Sequence, residues 1–97
     1  IFMKAIVTVV GKDRVGIIAQ VAGKLSQLNV NILDIRQTTM QDYFTMMMLV
    51  DTTACNVDFA ALQSALESLG NEINEDIRLQ HVDIFNSMHI KAAGGFL

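Results

Sequence analysis

Apolar positions along the chain fall into segments of alternating period. Met3 to Val10 is a short run rich in Val and Ile, closed by Gly11, as a buried strand requires. A polar loop, Lys12-Asp13-Arg14, follows. Asp13 is placed to cap a helix, because its carboxylate can accept from the orphan N–H groups of a first turn. Ile18, Val21, Ala22, Leu25 and Leu28 then recur at helical spacing, with Gln20, Lys24 and Gln27 off the stripe and Asn29 as a left-handed stop. Asn31 to Met40 alternates as a strand, Leu33 and Ile35 one way, Asp34 and Arg36 the other. Gln41-Asp42 turns the chain into a second strand, Tyr43 to Val50, making a hairpin. After a loop at Asp51 to Asn56, the spacing of Phe59, Leu62, Leu66 and Leu69 predicts a helix from Val57 to Leu69, with Gly70 at its stop. Ile73 to Val82 is a fourth strand. Asp83 can cap a short last helix carrying Ile84, Phe85 and Met88.

The order strand–helix–strand, strand–helix–strand predicts two right-handed split crossovers interleaved into one antiparallel sheet. The expected fold class is α+β: a ferredoxin-like βαββαβ sandwich of strand order 4-1-3-2, both helices on one face, plus the short C-terminal helix. Strands two and four would be the edges. Such a fold hosts many unrelated functions, so function must come from particular residues.

At 97 residues, 52% of them hydrophobic, the chain is long enough for one core and too short for two. A single domain is expected over 3–89. Ile1-Phe2 ahead of Met3 reads as a vector remnant, and 92–97 as a vector-derived or frayed end.

Net charge is −3, and the seven basic residues are scattered singly, which disfavours nucleic acid. The strand segments carry Val, Ile, Thr and Met instead of the stacking aromatics of RNA-recognition sheets. No apolar run reaches membrane-span length, so no membrane role is expected. One cysteine, Cys55, cannot form an internal disulfide and fits a reducing cytoplasm.

Little suggests catalysis. Two histidines, His81 and His89, are too few and too far apart for a metal set. Cys55 has no adjacent base or cation to make it a nucleophile. Glu67, Glu72, Glu75, Asp76 and Asp83 are read as a solvated acidic face. Alternation places Met46 and Met48 on one face and Met47 on the other, one side filling the core and the other a helix-free sheet surface. No cofactor, no metal and no enzymatic activity are expected.

The run Val7-Thr8-Val9-Val10-Gly11-Lys12-Asp13-Arg14-Val15-Gly16-Ile17-Ile18-Ala19 resembles the opening of ACT domains, where a strand enters a short polar loop and Asp-x-x-Gly with an apolar pair begins helix one. Asn29-Val30-Asn31-Ile32 is similar to the family's turn into strand two, and Tyr43-Phe44-Thr45-Met46 to its third strand. The resemblance spans roughly Met3 to Met88. The pattern is similar to small free-standing ACT proteins, and to the ACT regions of glycine-cleavage regulators and formyltetrahydrofolate hydrolases.

Gly16, expected in the first turn of helix one, is a poor helix former by about 1 kcal/mol against Ala, but leaves room for a ligand at the N–H donors. That end favours an anion such as an amino-acid carboxylate. Asn31 offers a donor and an acceptor. The resemblance implies that edge strand two pairs with its copy in a homodimer, the ligand lying between the loop of one subunit and strand two of the other. On that mapping Asp13, Arg14, Val15, Gly16 and Ile17 form one wall, and Asn31 and Ile32 the other. The alternative reading leaves Asp13 only a cap, Asn31 a turn residue, Gly16 a packing glycine and Arg14 a solvated charge.

The leading expectation is a regulatory module binding a small molecule, an amino acid, as a homodimer whose output passes to a separate enzyme or regulator. The alternative is a ligand-free interaction module held by strand or sheet-face pairing. An acylphosphatase-like hydrolase is the third reading; Arg14 and Asn31 fit it, but Asp13 stands in the anion's path.

Overall fold

The computed structural model describes residues 3–12 and 16–82, and over these the expected order of elements holds. It runs β1 (Lys4–Lys12), α1 (Ile17–Gln27), β2 (Asn31–Met40), β3 (Tyr43–Asp51), α2 (Phe59–Ile73) and β4 (Asp76–His81). The sheet is antiparallel in the order β2-β3-β1-β4, the predicted ferredoxin-like order read from its other edge. The short helix expected from Asp83, and His89 within it, lie outside the described residues; Val82, just before it, has helical backbone.

The core lies between the sheet and the helices. Ala5, Val7 and Val9 of β1 and Met46, Met48 and Val50 of β3 alternate inward and are sealed, as the strand period dictates. Val21 and Leu25 of α1 and Leu62 and Leu66 of α2 close the layer from above, all at 0% exposure. Met47 lies on the face opposite α1 and α2, as alternation requires.

Three features differ from the sequence reading. Helix α1 begins later: Gly16 occupies the N-cap position, at φ 89°, with no side-chain cap, so it precedes the first turn instead of lying in it. Asp13, expected as the cap, is three residues upstream and outside the described residues. The stripe of α1 is accordingly Ile17, Val21 and Leu25, while Ile18 is exposed.

Helix α2 runs through Gly70 to Ile73 and stops at Asn74, whose left-handed φ of 58° ends it. Gly70 is therefore no stop signal. It is buried in the helix, where a Cβ would approach the Glu75 carbonyl oxygen to 2.6 Å. The glycine permits a close crossing of helix over the turn into β4. Ile73 consequently belongs to the helix, and β4 starts at Asp76. At its other end α2 is capped by Asp58, whose Oδ1 accepts from the Ala61 N–H at 2.8 Å.

Glu75 is the third correction. Expected on a solvated acidic face, it is only 7% exposed. The Glu75 N–H donates to the Gly70 carbonyl at 2.9 Å, a bond that folds the chain back beneath the helix. Its carboxylate then lies over Gly11 at the end of β1, where a Cβ would collide with it.

Candidate functional site

One end of the sheet carries the start of α1. Register sets Lys12 beside Tyr43, Gly11 beside Phe44 and Thr39 beside Phe44, so β1, β2 and β3 all reach this end. A hollow there is lined by Gly16, Ile17, Ile18, Ala19, Gln37 and Thr39, with Phe44 as its buried floor. The left-handed Gly16 leaves open space: a Cβ built on it meets no atom within 4 Å. Its carbonyl accepts the first helical bond, from the Gln20 N–H at 2.9 Å, leaving the N–H groups of the first turn without intrahelical partners.

Two of the five residues proposed for the first wall can be placed. Gly16 lines the hollow as expected. Ile17 also borders it, but the residue is 3% exposed and belongs to the core, so it offers a ligand little surface. Asp13, Arg14 and Val15 lie outside the described residues.

Asn31 and Ile32 sit at the opposite end of the same edge. They line a second hollow with Ala22, Ser26, Asn29, Val30 and Ala54, beside the C-terminus of α1. The turn before them is fixed from both sides. Asn29 has the predicted left-handed backbone, φ 61°, and its Nδ2 donates to the Ala54 carbonyl at 2.9 Å. The Val30 N–H returns to the Leu25 carbonyl at 2.9 Å, and the Asn56 N–H binds the Leu28 carbonyl at 3.1 Å. Asn31 pairs with Asp51, the last residue of β3.

One subunit therefore does not bring the two proposed walls together. Asn31 of one hollow and Thr39 of the other are eight residues apart along β2, about 25 Å at the ~3.3 Å rise of a strand. Both hollows face the open edge of the sheet, which is apolar at Ile18, Leu33 and Ile35, each 38–41% exposed. A bulge between Ile32 and Asp34 contains Leu33 and interrupts the alternation expected of it. Below the bulge, Ile35, Gln37 and Thr39 point to the helix side and Asp34, Arg36 and Thr38 to the other.

Gln37, Thr39 and Phe44 escaped the sequence reading. Their signal was the hairpin: once Gln41-Asp42 is the turn, Thr39 must oppose Phe44, and Phe44 must share the inward face of β3 with Met46. Electrostatically the edge is mild. Asp51 has a displaced titration: the Thr53 hydroxyl, then the Thr53 N–H at 2.9 Å, hold its carboxyl below its ordinary value. Among the described residues no group of three His, Cys, Asp or Glu is placed to hold a metal ion, and no helix is long and apolar enough to cross a membrane.

Comparison with known proteins agrees with this fold. Residues 4–80 match the ACT domain family. A UPF0237 protein of Bifidobacterium longum is 55% identical over 86 residues, which is 89% of this chain and 96% of that protein. The solved ACT domain protein from Streptococcus pneumoniae superposes with a TM-score of 0.75 at 47% identity, covering 86% of this chain and 93% of that one. The structure of a candidate glycine cleavage system transcriptional repressor gives a TM-score of 0.74 at 26% identity, over 84% of this chain and 47% of that one. By fold and by a match over nearly the whole described chain, this protein belongs to the ACT domain family.

Proposed function

We propose that this chain is a regulatory module that binds a small amino acid between two copies of itself. The carrying observation is the division of the site: an open, glycine-headed helix start at one end of the β2 edge and an Asn31 hollow at the other. Antiparallel pairing of β2 with its copy, centred on the middle of the strand near Ile35, sets Thr39 beside the partner's Asn31. Each hollow at Gly16 is then completed by the other subunit's Asn31 and Ile32.

The chemistry suits a zwitterion. First-turn N–H groups and the positive end of the α1 dipole favour the carboxylate. The Asn31 side-chain oxygen can accept from the ammonium, and Thr39 and Gln37 supply further polar contacts. Asp13, Arg14 and Val15 complete the first wall on the family resemblance. The exposed apolar edge supports pairing, since an unpaired strand edge flanked by Ile18, Leu33 and Ile35 invites association. The signal goes to a separate enzyme or regulator, in the cytoplasm, with the chain itself performing no catalysis.

Thermal melting against the twenty amino acids tests this. A ligand at 100 times its dissociation constant adds about 2.7 kcal/mol, a midpoint shift of several degrees in a domain of this size. The expected result is a shift with one or two amino acids, lost in Gly16→Leu and in Asn31→Ala, although these sites lie at opposite ends of one subunit. No shift with any amino acid at millimolar concentration would leave the ligand-free interaction module as the better reading.

A further inference from the structure

We infer that the face of the sheet opposite α1 and α2 is an interface for a second copy of this chain, stacked sheet to sheet. Register places Ile6, Thr8 and Val10 of β1 beside Leu49, Met47 and Thr45 of β3 on that face. This apolar strip continues to Tyr43 and Met40, which are 63% and 71% exposed, with Val10 at 42%. Each edge strand then adds an acid–arginine couple: Asp34 with Arg36 on β2 at 3.8 Å, and Asp76 with Arg78 on β4 at 3.3 Å. An apolar centre between charged rims of both signs is the anatomy of a protein interface.

The occupant follows from the charges and the register. Leu79, Val7, Met48 and Ile35 lie at one level across the four strands. A two-fold axis across the strands at that level sets Arg36 over the partner's Asp34, Met47 over the partner's Leu49, and Thr8 over the partner's Ile6. The same strand thus presents both halves of the ion pair, one residue to each side of the axis. Aligned sheets stack with a twist of about 30°, which these long rim side chains can span. The face covers about 500 Å², taking four strands ~4.8 Å apart and about 27 Å long. Two copies together bury about 1,000 Å², the lower bound of a specific interface.

This stack does not need the edge pairing, but the two are compatible. An axis pairing the β2 edges near Ile35 lies at the same level, so the two axes meet and the assembly closes at four copies. The other edge is guarded: Gln63 of α2 donates from Nε2 to the Leu79 carbonyl of β4 at 3.1 Å. Growth of the sheet through β4 is thereby opposed.

Sedimentation velocity on the full chain at about 100 µM tests the stack. The expected mass is that of four copies, or of two if the edges do not pair. Met47→Glu should halve it. Arg36→Glu, on a residue whose side chain is 85% exposed, should weaken the assembly without harming the fold. Adding Asp34→Arg to that variant should restore the mass, because the couple is merely reversed. Ile35→Glu reports on the edge separately, so a failure of edge pairing is distinguishable from a failure of stacking. An unchanged mass in both Met47→Glu and Arg36→Glu would overturn the inference. So would a monomeric wild type, or a Met47→Glu variant that melts lower at unchanged mass, which would mean the chain's own residues cover this face.

Discussion

The carboxylate of Glu75 occupies the space that a side chain at Gly11 would need. One residue ends β1 on the way into the Asp13 loop; the other follows the left-handed stop of α2 at Asn74. Their contact ties the second half of the fold to the strand that leads into the proposed ligand loop.

Gly11→Ala should therefore destabilise the protein by about 1–3 kcal/mol, the usual cost of overpacking. In a Glu75→Ala background the same substitution should cost less than half as much. Urea unfolding of the four proteins in this cycle measures the coupling; additive effects would mean that the glycine is there for another reason.

The two helical glycines should respond with opposite signs. Gly23→Ala meets nothing within 4 Å and should gain about 0.5–1 kcal/mol from helix propensity and reduced chain entropy. Gly70→Ala gains the same propensity, but its Cβ would press on the Glu75 carbonyl at 2.6 Å, so a net loss is expected. Thermal midpoints moving up for one and down for the other would confirm the close crossing.

Removing the α2 cap by Asp58→Ala should cost about 1 kcal/mol, since the Ala61 N–H loses its only short side-chain acceptor. Asp58→Asn, which keeps an acceptor oxygen, should recover most of it. Denaturant midpoints compare the three.

The depressed titration of Asp51 has a definite sign. Its folded pKa lies below its unfolded one, so it stabilises the fold at neutral pH. That contribution fades as pH falls below about 4, through the unfolded and then the folded value. Asp51→Asn should be less stable than wild type at pH 7, with the difference closing toward pH 3. A constant difference across that range would assign the effect to the changed hydrogen bond and not to the charge.

The elements were legible because each depends on a local period. The inward alternation of Val7, Val9, Met46 and Met48 could follow only one register, and the hairpin at Gln41-Asp42 fixed it. Left-handed Asn29 was legible for the same reason, since short polar side chains tolerate that backbone between two apolar runs. Glycine was less readable: Gly16 heads α1 and Gly70 runs inside α2, and in sequence either could be a stop, a cap or a close contact.

Sequence alone determined the six elements, their sheet order and the scatter of the seven basic residues, because hydrophobic periodicity and charge need no knowledge of what lies opposite. Only the tertiary structure decided that Glu75 is buried, that Ile18 faces outward and that Gln37, Thr39 and Phe44 line the hollow beside Gly16. Those facts depend on where distant segments cross, which no local period encodes.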